Sequence, residues 1–195
     1  MKIIRHRRNT IQELQETSQE LGIEVDLRSY GNDLIIHHEP FDRGELFTNW
    51  LKYFRHGMLI LNVKEEGLEN RLLIEMEKHN IEDFFFLDQS FPFLIKTAKS
   101  GESRCAVRVS EYESIDTALS LAGLIDWVWV DCFTGFPLNQ ASAQQLKKAG
   151  FKLCLVSPEL QGRIASSEIV AMRKKLEKEN IEVDAVCTKY PEQWQ

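Results

Sequence analysis

Apolar runs of strand length alternate along the whole chain with longer segments of helical period, and this alternation constrains the fold more than any other feature. Strand and helix in turn, joined by a few residues, is the pattern of a parallel α/β sheet rather than of a bundle or a sandwich. Eight strands are predicted, at Lys2–His6, Ile23–Leu27, Met58–Lys64, Asp83–Leu87, Cys105–Val109, Trp127–Cys132, Lys152–Val156 and Asp184–Thr188. An extended piece at Leu34–His38 follows the second strand and is expected to form an excursion above the sheet. Helices are expected at Thr10–Leu21, Leu46–Tyr53, Glu66–Lys78, Phe93–Lys99, Ser114–Leu121, Ser142–Ala149 and Ser167–Glu179. Thr10-Ile11-Gln12-Glu13 reads as a capping box that fixes where the first helix begins.

One junction recurs, as Gly22-Ile23-Glu24, Asn80-Ile81-Glu82, Gly150-Phe151-Lys152 and Asn180-Ile181-Glu182. The Gly or Asn is expected in the left-handed conformation that ends a helix, with the next apolar residue packed back on the last turn. Such short returns keep strands parallel with right-handed crossovers, in a closed barrel or an open doubly wound sheet. Eight units favour a compact (β/α)8 TIM-type barrel with short helices, since 195 residues fall below the ~250 usual for that fold. No Gly/Ser-rich linker or low-complexity tract interrupts the chain, so residues 1–195 are expected to form a single domain.

Composition narrows the function. A formal net charge of -6 argues against a nucleic-acid coat, which needs clustered Lys and Arg. No run approaches the ~20 apolar residues of a bilayer span, and Met1 to Thr10 is too polar and basic for a secretory signal, so a cytoplasmic protein is expected. Cys105, Cys132, Cys154 and Cys187 lie apart in apolar runs, without the short spacings of a zinc site, and read as buried free thiols.

Polar residues on the strands concentrate at their C-terminal ends, the face where parallel α/β folds build sites. His6 and Arg7 close the first strand, Glu24 and Asp26 sit on the second, and Asn62 and Lys64 end the third. Period-2 geometry points Glu24 and Asp26 to the same side, where they would hold a hard divalent metal or mark a solvated strand end. Asn62 can lend a carbonyl oxygen to a metal and Lys64 a point charge to a phosphate. In His37-His38-Glu39-Pro40 a histidine beside carboxylates is a candidate acid or base, and a lone one is structural. Asp131 shares a face with Trp127 and Trp129, as a stacking platform or as core. Ser157-Pro158-Glu159 and Gly162-Arg163 form a loop that cradles an anion or turns the chain.

His6-Arg7, Asn9-Thr10, Glu24-Val25-Asp26, His38-Glu39-Pro40, Leu61-Asn62-Val63-Lys64 and the closing run from Val183 to Pro191 together resemble the landmarks of the glycerophosphodiester phosphodiesterase family. There the landmarks read HRG, ENT, E-x-D, HD, E-x-K and DGI-x-TD-x-P, in the same order from the first barrel strand to the last. The resemblance implies a metal-dependent phosphodiesterase, a hydrolase or cyclising lyase of lipid metabolism. Its divalent ion, Mg or Ca, would sit on Glu24, Asp26 and Asn62. His6 and His38 would be acid and base, and Arg7 and Lys64 would face the phosphate. The implied substrate is a small glycerophosphodiester-like or glycan phosphodiester. Arg8 stands where the family has glycine, Asn62 where it has a third acidic ligand, and Lys189 where it has the closing aspartate. These departures leave a second expectation, a non-catalytic barrel that binds phosphate or a sugar phosphate over a degenerate metal site.

Overall fold

The protein is described by a computed structural model covering residues 1–195. Eight parallel strands form the frame: β1 (Lys2–Arg5), β2 (Gly22–Tyr30), β5 (Leu59–Val63), β6 (Phe84–Leu87), β7 (Ala106–Val109), β8 (Trp127–Val130), β9 (Lys152–Val156) and β10 (Ala185–Thr188). Two short strands extend the sheet from the outer end of β2: β3 (Asp33–Ile36) pairs antiparallel with β2, and β4 (Glu45–Leu46) antiparallel with β3. The extended piece expected at Leu34–His38 is therefore half of a hairpin with β2, which runs on to Tyr30 to meet it.

Seven parallel ladders join the eight frame strands in the order β6-β5-β2-β1-β10-β9-β8-β7, and the sheet curls until β6 faces β7. At that seam a single parallel bridge, Phe86 to Cys105, stands in place of a ladder, with Phe86 N–H donating to Arg104 O at 2.8 Å. The fully laddered barrel expected from the sequence is thus open along one seam. Locally, Glu102 takes both the backbone N–H and the guanidinium of Arg104, which ties up the start of β7 before it can pair further.

The helices are α1 (Ile11–Gln15), α2 (Phe47–Trp50), α3 (Glu69–Lys78), α4 (Phe91–Lys99), α5 (Ile115–Leu119), α6 (Gln140–Lys148) and α7 (Ala165–Lys178). The Thr10 capping box forms as expected, but α1 stops at Gln15 rather than Leu21. Thr17 Oγ1 donates back to Glu13 O at 2.7 Å and Leu21 N–H to Ser18 O, so hydroxyl-rich Thr17-Ser18 leaves the helical path for turns. Likewise Gly67, at φ 88°, delays α3 to Glu69. Asn80, Gly150 and Asn180 adopt the expected left-handed conformation, at φ 53°, 96° and 51°. Gly22 does not, for a different reason: a Cβ there would meet Ile4 Cγ1 at 2.9 Å and Met58 O at 3.0 Å. Glycine is required at that point by close approach of β1 and β5, not by backbone hand.

Strand parity sorts the core into two layers. Ile23, Val25 and Leu27 of β2, with Leu59, Leu61 and Val63 of β5, face the helices. The alternate positions face inward, where Ile4, Ile60, Phe85, Trp127, Cys154 and Cys187 belong to a separate buried cluster. Phe85 stacks on Trp127 at 4.7 Å between ring centroids. Both Trp127 and Trp129 are buried in this plug, so they serve as core rather than as a stacking platform. The four cysteines are free and buried, as expected.

The plug is the floor on which the polar strand ends rest. Phe85→Ala should destabilise the protein by about 3–5 kcal/mol, seen in urea denaturation as a lower midpoint with an unchanged slope.

Candidate active site at the strand ends

On the inward face of β2 two of the alternating positions are Glu24 and Asp26, and both are buried, at 1% and 0% exposure. The parallel register sets Asp26 beside Asn62 of β5, and β1 delivers His6 and Arg7 from the other side. Arg7 turns with φ 48°, an unusual left-handed position for a residue with a side chain. That turn aims its backbone N–H at Glu24 Oε2, 2.7 Å away, while its Nε lies 3.3 Å from Asp26 Oδ2. Asn9 completes this edge: Nδ2 donates to Asp26 Oδ2 at 2.9 Å and Oδ1 accepts from Asp26 N–H at 3.1 Å. On the far side Lys64 Nζ lies 3.3 Å from Asp26 Oδ1, and Asn62 Nδ2 donates to Glu24 Oε1 at 2.8 Å.

Of the residues expected from sequence, the structure therefore brings together His6, Arg7, Glu24, Asp26, Asn62 and Lys64. The His38 ring makes no hydrogen bond or ion pair with this group. Its Nδ1 lies 2.5 Å from Glu39 Oε1, its ring has no other polar partner, and its side chain is 37% exposed. Arg28 fixes the loop instead of the ring, donating from Nε and Nη2 to His38 O and from Nη1 to Lys64 O. His37 Nδ1 turns to Glu39 O.

The polar row runs on from these six residues to Asp88 and Arg108, which the sequence reading did not mark, and to Asp131, which it did. Lys64 Nζ also reaches Asp88 Oδ2 at 3.3 Å, Arg108 Nη2 pairs with Asp88 Oδ1, and Arg108 Nε lies 3.7 Å from Asp131 Oδ2. Asp131 Oδ1 accepts from Gln161 Nε2 at 2.7 Å and from Cys132 N–H. Acids and bases thus alternate from β2 across β5, β6 and β7 to β8. Arg108 carried a usable signal: it is a charge at an inward position of an otherwise apolar strand. Asp88 gave none beyond its place after Phe84–Leu87. Glu159 is buried under the end of β10 and accepts from Thr188 Oγ1 at 2.6 Å, Lys189 N–H at 2.9 Å and Ser157 Oγ. Its loop turns the chain and braces β10, and it holds its carboxylate away from solvent.

Burial sets the proton affinities. It holds His6 down at about 3, helped by Arg7 and then by Lys189 and Lys64 against the opposing pull of Asp26. His6 Nε2 is 3.8 Å from Glu24 Oε2, and Nδ1 is buried with no hydrogen-bond partner. Glu24 moves the other way, up to about 7, through burial and the neighbouring Asp26 charge, against the bonds from Asn62 and Arg7.

A divalent metal was expected on Glu24, Asp26 and Asn62, and the donor set does not fit one. Both Glu24 oxygens already accept N–H groups, and both Asp26 oxygens face cationic side chains. Asn62 turns its amide nitrogen to Glu24, and the oxygens left without a hydrogen-bond partner are Asn62 Oδ1 and Asp26 Oδ1, the latter 3.3 Å from Lys64 Nζ. No group of three or more His, Cys, Asp or Glu residues is placed to hold an ion. Mg and Ca take six or more oxygen ligands, and the two oxygens left here, one neutral carbonyl and one carboxylate oxygen already facing an ammonium, are a poor start on that shell.

Comparison with known proteins agrees on the architecture. No family model matches the chain, and no curated protein matches it significantly. Solved structures do. A glycerophosphodiester phosphodiesterase from Agrobacterium tumefaciens superimposes with a TM-score of 0.66 at 14% identity, over 99% of this chain and 98% of that one. A second Agrobacterium tumefaciens structure, described as a putative glycerophosphoryl diester phosphodiesterase, gives 0.69 at 14% identity over 98% and 94%. A glycerophosphoryl diester phosphodiesterase from Parabacteroides distasonis gives 0.67 at 12% identity over 98% and 84%. The chain has the fold of these phosphodiesterases across nearly its whole length. No helix is long and apolar enough to cross a membrane.

The two displaced proton affinities act on stability with opposite signs. Folded His6 holds fewer protons than the unfolded chain between pH 3 and 6.5, so it makes stability rise with pH there. Folded Glu24 holds more between pH 4.5 and 7, so it makes stability fall as pH rises through that window. The two oppose each other from pH 4.5 to 6.5. In Glu24→Gln the His6 contribution should stand alone, and urea denaturation should show stability climbing with pH across this interval more steeply than in the parent.

Proposed function

We propose that this chain is a divergent phosphodiesterase of the glycerophosphodiester type, built on a single curled (β/α)8-type sheet, open along one seam, that spans residues 1–195. The observation that carries the reading is the convergence of His6, Arg7 and Lys64 around the buried Glu24–Asp26 pair. It occurs at the strand ends of a fold shared with proteins described as phosphodiesterases. The substrate is a small phosphodiester, of glycerophosphodiester or glycan type, and the setting is lipid metabolism. Four buried free thiols support a reducing, cytoplasmic location.

The chemistry follows from the side chains. Arg7 and Lys64 neutralise charge on the non-bridging phosphate oxygens as it builds in the transition state. Arg7 is 42% exposed and Lys64 16%, so both present their cationic heads to an incoming anion. His6 is neutral at physiological pH and takes a proton from the attacking oxygen, of water or of a neighbouring substrate hydroxyl. Glu24, 3.8 Å from His6 Nε2, stabilises the imidazolium that forms. His38, with Glu39 on Nδ1, is the proposed acid that returns a proton to the leaving alcohol. The Mg or Ca expected from the resemblance takes no part, because Arg7 and Lys64 already stand against Asp26 where the ion would sit.

Asn62 in place of a third acid favours a second reading, a barrel that binds a phosphate or sugar phosphate without turnover. Assay of the purified protein on glycerophosphodiesters and nitrophenyl phosphodiesters separates the two. Cleavage is expected, and His6→Ala should lower kcat by roughly 10²- to 10⁴-fold. Binding of the panel with no product under any condition supports the second reading, and unchanged turnover in His6→Ala sinks the first.

A further inference from the structure

The acidic pair on β2 carries its own counterions. Asp26 is flanked on one oxygen by the Arg7 guanidinium and on the other by the Lys64 ammonium, each at 3.3 Å. Glu24 is held by two N–H donors, the Arg7 backbone at 2.7 Å and the Asn62 amide at 2.8 Å. A carboxylate at position 62 would set two anionic oxygens at that same short separation, which only a bridging cation or a shared proton could hold. An amide there removes the need for either. A divalent ion entering beside Asp26 would instead meet Lys64 Nζ at close range, and like charges repel strongly in so dry a setting.

We infer that Asn62, Arg7 and Lys64 together take the place of a divalent ion, so that this pocket binds the phosphate of its ligand through side-chain cations and without metal. The inference deepens the phosphate-handling function proposed for the same site and rests on it for the identity of the ligand. Lys64 is central, because it is salt-bridged to two acids and its side chain still keeps 16% exposure. Asp88, held by Arg108, shares Lys64 with Asp26 and keeps the ammonium extended at the strand end.

The test begins with the wild-type protein stripped by EDTA and titrated with Mg, Ca or Mn. Thermal unfolding should stay at the same temperature throughout, since an ion that binds only the folded state would raise it in a concentration-dependent way. Affinity for glycerol phosphate and for a nitrophenyl phosphodiester, measured by calorimetry, should be equal in EDTA and in millimolar Mg. Asn62→Glu should reverse both results, acquiring a rise in unfolding temperature that depends on the ion. Should that variant fail to fold, Asn62→Asp is the substitute, and the wild-type titration decides on its own. Lys64→Ala should weaken phosphate binding by about tenfold or more, as loss of a charge-assisted contact implies, with no rescue by Mg. A wild-type unfolding temperature that rises with any of the three ions overturns the inference, as does phosphate binding about tenfold tighter with metal than with EDTA. If no phosphate compound binds under either condition, the phosphodiester function fails. The ion titration then still decides whether side-chain cations stand in for the ion: an unchanged unfolding temperature upholds that replacement, and a rise overturns it.

Discussion

Two carboxylates on one face of one strand, both cut off from solvent, are the constraint around which the upper half of this molecule is arranged. Burying even one unpaired charge costs several kcal/mol, so Glu24 and Asp26 oblige their neighbours to supply donors and counterions. The obligation reaches the backbone. Arg7 accepts a left-handed conformation because only then do its N–H and its guanidinium serve the two acids at once. Asn9 is drawn in to bond Asp26 with both ends of its amide, which fixes the chain just before Thr10 caps α1. The first βα loop thus owes its shape to the charge beneath it.

The same demand propagates sideways. Lys64 is shared between Asp26 and Asp88, Asp88 is shared with Arg108, and Arg108 leans on Asp131. Each charge has a partner on the next strand, so the polar layer crosses the β6–β7 seam that the backbone ladder leaves nearly unpaired. Below it lies a dry plug of Ile4, Ile60, Phe85 and Trp127, above it the solvent. Where hydrogen bonds between backbones are sparse, ion pairs between strand ends bring the two sides of the seam together.

Much of this was written in residue order, and the rest depended on contacts distant in sequence. The eight frame strands were legible because their apolar runs are bounded by turn residues, and Glu24-Val25-Asp26 declared its inward face by parity alone. Asn80, Gly150 and Asn180 announced helix ends through backbone preference. What failed was local competition. Thr17 and Ser18 divert α1 by bonding to their own backbone, which periodicity does not register. The setting of His38 was equally out of reach, since Glu39 holds its ring and Arg28, ten residues earlier, grips its carbonyl. Asp88 was unreadable as a neighbour of the site because its partners lie on other strands, at Lys64 and Arg108.

Charge placement links the departures from the resembled pattern into one physical account. At position 62 an amide stands for an acid, and at 189 a lysine stands for another. Both changes remove negative charge from the rim, and Lys189 also helps hold His6 neutral. A divalent ion in a related pocket would balance the surplus of acid; here the surplus has been reduced in the chain itself, and the cations that remain are fixed to strands. Fixed cations differ from an ion in one respect that matters for chemistry. An ion contributes charge only when bound, whereas Arg7 and Lys64 are present in every folded molecule and are already oriented by Asp26. Their electrostatic work of reorganisation is therefore done at folding rather than at ligand arrival. The buried acids, which by themselves would repel a phosphate, become the scaffold that holds its binding groups in place.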